Sequence, residues 1–183
     1  MKAKNIFLIV LMVLGGDMLK AQIYLGKTCD IRFYSSGPIE DISAINKTAK
    51  PIFNAATGEV AIKITIKGFE FDKKLMEEHF NEKYMESDKY PYATFTGKVN
   101  EQIDYKKDGT YKATVTGKLS IHGVEKDRTI EGIVTIKRGE ISFNSKFNVA
   151  LKDHNITIPT LVAQNVAEIV QVTIKSTLAE YKK

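Results

Sequence analysis

From Gln22 onward, apolar and polar residues alternate with a period of two, the pattern that sends successive side chains to opposite faces of a strand. The clearest run is Tyr111, Ala113, Val115, Gly117, Leu119 and Ile121, interleaved with Lys112, Thr114, Thr116, Lys118 and Ser120. It predicts a long strand with one dry face. The same pattern predicts strands over 60–67, 93–99, 130–136, 141–151 and 170–178, and shorter ones over 31–35 and 39–46, about eight in all. Turn signals separate them: Ser36-Gly37-Pro38, Thr57-Gly58, Lys107-Asp108-Gly109, His122-Gly123 and Arg138-Gly139.

One segment breaks the period. Leu75, Met76, His79, Phe80 and Tyr84 form a helical stripe within 72–84, with Asp72 as its expected N-cap. This predicts a single short α-helix packed across one end of the sheet. Residues 152–165, with Pro159, read as a loop. An even set of one-sided antiparallel strands has to hide both its dry face and its edges, and closing the sheet on itself does both. The expected fold class is therefore all-β, an antiparallel β-barrel of about eight strands with one short α-helix. A barrel of that size has room for its own side chains or for one small ligand. Gly97, Gly117, Gly132 and Ala113 on the dry face leave volume for a ligand or mark bends where strands cross.

The first 21 residues carry a different pattern. Lys2 and Lys4 precede an unbroken apolar run from Ile6 to Leu14, too short to span ~30 Å of hydrocarbon, and Ala21 is followed by Gln22. We expect 1–21 to be a signal peptide and 22–183 the mature domain, although Leu19 stands where a small residue is usual. With no cysteine closing the apolar run, a bacterial lipoprotein anchor has no acceptor. The expected address is the periplasm or the exterior, with no transmembrane segment once the signal is removed.

Losing 1–21 removes three lysines and one aspartate, and the net charge falls from +5 to +3. The remaining charges are interspersed, without the one-faced basic cluster that nucleic acid demands. Cys29, the one cysteine, cannot make an internal disulfide, so the fold rests on its core. As a nucleophile it has only Lys27 nearby. Neither a Gly-x-Ser-x-Gly elbow nor a phosphate-cradling glycine loop is present. A metal site would need His79, His122 and His154 with Glu78 or Asp153, yet no two histidines stand at metal-binding spacing. The expectation is a protein that is not an enzyme, with no metal and no cofactor. His79 and His122 are expected at a barrel end, each donating to backbone or touching a ligand's head group.

Two stretches carry a resemblance: LMEEHFNEKYMESDKYPYATFTGKV over 75–99 and GTYKATVTGKLSIHGVEKDRTIEG over 109–132. A helix ending in His, a Tyr-Pro-x-Ala-x-Phe strand at 90–95 and a Gly-x-Leu-x-Ile-His-Gly-Val strand and turn at 117–124 resemble the YceI-like family of polyisoprenoid-binding exported proteins. The resemblance spans about 31–178. It implies a lipocalin-like barrel in the bacterial envelope that carries an isoprenoid lipid, a quinone or another long amphiphile along its axis. The lining residues it implies on the dry face are Phe33, Ile62, Ile64, Phe95, Tyr111, Val115, Leu119, Phe143, Phe147, Val172 and Ile174. Two other readings stay open: a metal-assisted hydrolase acting on an amphiphile through the histidines, and a filled barrel serving as an envelope stress or interaction protein. Ile133 and Ile169 offer an outer face to a homodimer.

Overall fold

The computed structural model describes residues 22–37, 40–158 and 167–182. The strands are β1 (Ile23–Ser35), β2 (Ile42–Asn46), β3 (Ile52–Asn54), β4 (Glu59–Thr65), β5 (Phe69–Phe71), β6 (Tyr92–Val99), β7 (Gly109–Ile121), β8 (Val124–Lys137), β9 (Glu140–Ala150) and β10 (Ile169–Glu180). A closed antiparallel barrel runs β1-β10-β9-β8-β7-β6-β4-β3 and returns to β1. It has eight staves, as the alternation predicts. The extra pieces are halves of broken staves. The late part of β1 pairs with β2 while its start pairs with β3, and β5 pairs with β2 beyond the 3-10 turn Ile66–Gly68 that ends β4. One buried amide locks both breaks: Asn46 donates to the Thr65 carbonyl at 2.8 Å and accepts from the Thr48 N–H and hydroxyl, each at 2.9 Å.

Local chemistry explains what the alternation missed. β1 begins at Ile23, ahead of the expected start, because a bulge between Gly26 and Thr28 shifts the register. The inserted residue reverses parity, so Tyr24 and Cys29 both turn inward and are buried. The Ser176 hydroxyl satisfies the bulge by donating to the Thr28 carbonyl at 3.0 Å. The dipeptides His122-Gly123 and Arg138-Gly139 make two-residue hairpin turns with both φ angles positive, at +52° and +73° and at +52° and +78°. That is the turn whose twist matches right-twisted strands. Gly97 and Gly117 face each other across β6 and β7, and a Cβ at Gly117 would collide with the Thr96 carbonyl. Gly132 is covered by the Phe143 ring. These glycines permit close approach and leave no space of their own.

The helical segment differs from expectation in two respects. The α-helix α1 spans Lys74–His79 only, its N-cap is Lys73 rather than Asp72, and no side chain caps it. The chain then widens into a π-type turn over Phe80–Tyr84, where the Met85 N–H donates to the Phe80 carbonyl at 2.9 Å. Phe80 accounts for the widening. Its ring stacks on Phe33 with centroids 5.4 Å apart and meets Phe69 at 5.6 Å and Phe71 at 5.1 Å, which pulls the chain toward the barrel. In the loop expected over 152–165, Leu151–His154 forms a 3-10 turn. Residues 159–166, like the expected signal peptide 1–21, lie outside the described residues.

Candidate functional site

The dry faces of the staves do not meet. They enclose a cavity of about 380 Å³ that runs along the barrel, from α1 at one end to the loop between β6 and β7 at the other. At the ~30 Å³ that one water-sized group occupies in a liquid, this is room for about a dozen methylenes. Its middle is walled by Ile62, Ile64, Phe95, Val115, Leu119, Phe147, Val172 and Ile174. The helix end contributes Phe33, Phe69, Phe71, Phe80, Met76, His79, Tyr84 and Met85, and the far end Phe53, Tyr105, Val134, Ile141, Phe143 and Leu178.

Every residue expected on the lining borders this cavity except Tyr111 and His122. Tyr111 has inward parity but lies at the start of β7, where its hydroxyl donates to the Lys107 carbonyl at 3.4 Å and its ring packs against the cluster of Tyr24, Phe53 and Tyr105. His122 sits in the β7–β8 turn, outside the wall. Sequence reasoning missed the contribution of the irregular segments: Phe53 on the three-residue β3, Phe69 and Phe71 on β5, Met76, Tyr84 and Met85 around α1, and Tyr105 on a loop. None stands in a run long enough to show alternation. Met76 and Tyr84 had a visible signal in the helical stripe, and Tyr105 had one as an aromatic flanked by Asp104 and Lys106 in a mostly polar loop.

The polar groups at the wall are few and mostly quenched. Cys29 is 1% exposed, and burial pushes its thiol up to about 11, partly offset by the adjacent Ser176 hydroxyl and reinforced by Asp30. It is no nucleophile at neutral pH. Ser35 accepts from the Ala167 N–H at 3.0 Å and ties β1 to the start of β10. Burial raises the Tyr84 phenol and lifts the Tyr105 phenol to about 12, with Glu101 adding to the latter. His79 is half-buried at the helix end, and its ring has no hydrogen-bond partner among the described residues.

The other two histidines join the turn between β7 and β8 to the segment after α1 and to the 3-10 turn Leu151–His154. His122 Nδ1 donates to the His154 carbonyl at 3.2 Å, while Nε2 lies 2.8 Å from the Glu86 carboxylate, and the Tyr90 ring packs edge-on at 4.4 Å. Both ring nitrogens thus have a polar partner, one on each side of the turn. His154 Nδ1 donates to the Val124 carbonyl at 3.0 Å, and burial lowers its basicity and keeps the ring neutral. Among the described residues no three His, Cys, Asp or Glu side chains cluster closely enough to hold a metal ion. No helix among them is long and apolar enough to cross a membrane.

Residues 32–178 match the YceI-like domain. The chain belongs to the YceI-like family. Solved structures that share this YceI-like fold include a polyisoprenoid binding domain from Saccharophagus degradans implicated in plant cell wall breakdown, with a TM-score of 0.74 at 16% identity over 88% of this chain and 100% of that one. BcnA of Burkholderia cenocepacia matches with a TM-score of 0.69 at 19% identity over 81% and 95% of the two chains. The YCEI protein of Campylobacter jejuni matches at 0.58 and 22% identity over 74% and 81%. At these identities the likeness is one of fold. No curated protein matches the chain.

Proposed function

We propose that this YceI-like protein is an exported carrier that holds the tail of an isoprenoid or similar amphiphilic lipid inside its barrel and performs no chemistry on it. The observation that carries the reading is the cavity itself: an interior channel lined almost wholly by hydrocarbon and aromatic rings, in a fold whose strands could have packed shut. A dozen methylenes moved from water into it gain ~10 kcal/mol gross at ~0.8 kcal/mol each. Association costs ~4 kcal/mol or more. The ~6 kcal/mol that is left corresponds to a dissociation constant of tens of micromolar, reached without any specific polar contact. The Saccharophagus degradans domain of the same fold, described as binding polyisoprenoids, supports the choice of tail. The basic start and apolar run within 1–21 support export, since the barrel begins just beyond that segment, at Ile23. The buried thiol and the hydrogen-bonded histidines favour a binding role over a hydrolytic one.

The test is native mass spectrometry of the mature protein purified from its own cell envelope, followed by organic extraction. The expected result is one lipid per chain, lost on denaturation. Reproducibly empty protein that also fails to bind added polyprenols and quinones contradicts the proposal.

A further inference from the structure

The two ends of the cavity are built differently, and the difference assigns one of them a measuring role. Phe53 and Tyr105 are 6% and 8% exposed, and both border the cavity. Their rings meet edge to face, with centroids 4.8 Å apart. Behind them Tyr24, Ile136 and Ala113 are equally buried but no longer touch the cavity. The pair is therefore a floor. Tyr105 reaches it from the loop between β6 and β7, and that loop is pinned at several points. Asn100 donates to the Thr114 and Thr116 hydroxyls at 2.8 and 2.9 Å, and the Glu101 carboxylate accepts from the Thr114 N–H and hydroxyl at 2.7 and 2.8 Å. Asp104 accepts from the Lys106 N–H at 3.0 Å, and Asp108 from the Arg138 N–H at 2.9 Å. A flexible loop would yield to an advancing chain; this one holds a rigid ring in place.

We propose that the Phe53–Tyr105 floor sets the length of tail the barrel accepts, so that the protein selects amphiphiles by the carbons that fit between the floor and the helix end. The inference rests on the carrier reading above. A tail longer than the channel leaves its surplus in water, where added methylenes contribute nothing.

The experiment measures dissociation constants of the mature protein for the linear alcohols from octanol to octadecanol. For the unaltered protein, affinity rises about fourfold per methylene and then stops rising near a dozen carbons. In Tyr105→Ala the break moves to longer alcohols by about three methylenes, the room a phenol ring vacates at ~30 Å³ each. In Leu178→Phe, which enlarges a wall residue packed on the floor, it moves to shorter ones. Phe53→Leu serves in place of Tyr105→Ala should that variant not fold, and also moves the break outward. A break that stays fixed in folded variants, or affinity that climbs without a break, overturns the floor while leaving the carrier reading intact. No binding of any alcohol to the folded, unaltered protein overturns the carrier reading and the floor together.

Discussion

The two ends of the barrel use aromatic residues in opposite ways. At the far end Tyr24, Phe53 and Tyr105 are all under a tenth exposed and backed by Ile136 at 2%. At the helix end Phe69 is as buried as Tyr105, but Phe33, Phe71, Phe80 and Tyr84 are only half-buried, and Leu75 on α1 is 61% exposed. The far end is held by hydrogen bonds from strand to loop, whereas α1 has no side-chain cap and its segment is fastened through Glu86 with His122 and through the exposed ion pairs of Lys73 with Glu40 and Lys67 with Asp88. Local opening is easiest where few apolar contacts are buried. On the carrier reading, one end is the floor and the other is the route by which a tail would enter.

Breaking the floor should cost most. Ile136→Ala, behind Phe53 and Tyr105, is expected to lose about 2–5 kcal/mol of stability in urea unfolding, because the pinned surroundings cannot collapse into the void. Phe80→Ala, at the half-buried end, is expected to lose about 2 kcal/mol or less while speeding release of a bound lipid in stopped-flow exchange. A larger loss at Phe80 than at Ile136 would reverse the assignment of the ends.

Acid should act through the fastening. The His154 ring has its basicity lowered in the fold by burial, with Arg128 adding to that and Asp153 opposing it, so the unfolded chain takes up the proton more readily. Its contribution is present above the ordinary value of 6.5 and is lost as pH falls through the lower folded value. His154→Asn, which keeps an N–H donor for the Val124 carbonyl, should flatten the loss of stability with acid below pH 6.5, read by thermal melts across pH. Glu86→Gln removes the charge from a half-exposed contact and should cost about 1 kcal/mol. Leu75→Ser should stay within about 0.5 kcal/mol, since the side chain is mostly in water.

The regular staves were legible because each carries enough alternation to fix both its existence and its inward face: Ile62 and Ile64 on β4, Val115 and Leu119 on β7, Val172 and Ile174 on β10. The helical stripe was legible too, though not its early end, since the pull of Phe80 toward Phe33, Phe69 and Phe71 is a tertiary effect. Parity says which way a residue faces but not how far along the barrel the cavity extends. That is why Tyr111, one turn of the pattern beyond Ala113, was placed on a wall that stops short of it. The floor was invisible for a related reason: Phe53 and Tyr105 lie on a three-residue strand and a loop, and only closure of the barrel brings them together. The start of β1 was hidden by a bulge that reverses parity within a single strand.

If a tail lies inside the barrel against this wall, methyl-labelled NMR of the protein with farnesol will show intermolecular NOEs from the farnesol chain to Ile62, Ile64, Val115, Leu119, Val172 and Ile174, with none to Ile133 on the outer face or to Ile136 behind the floor. NOEs confined to Ile133, Ile169 or other outer-face methyls would contradict it.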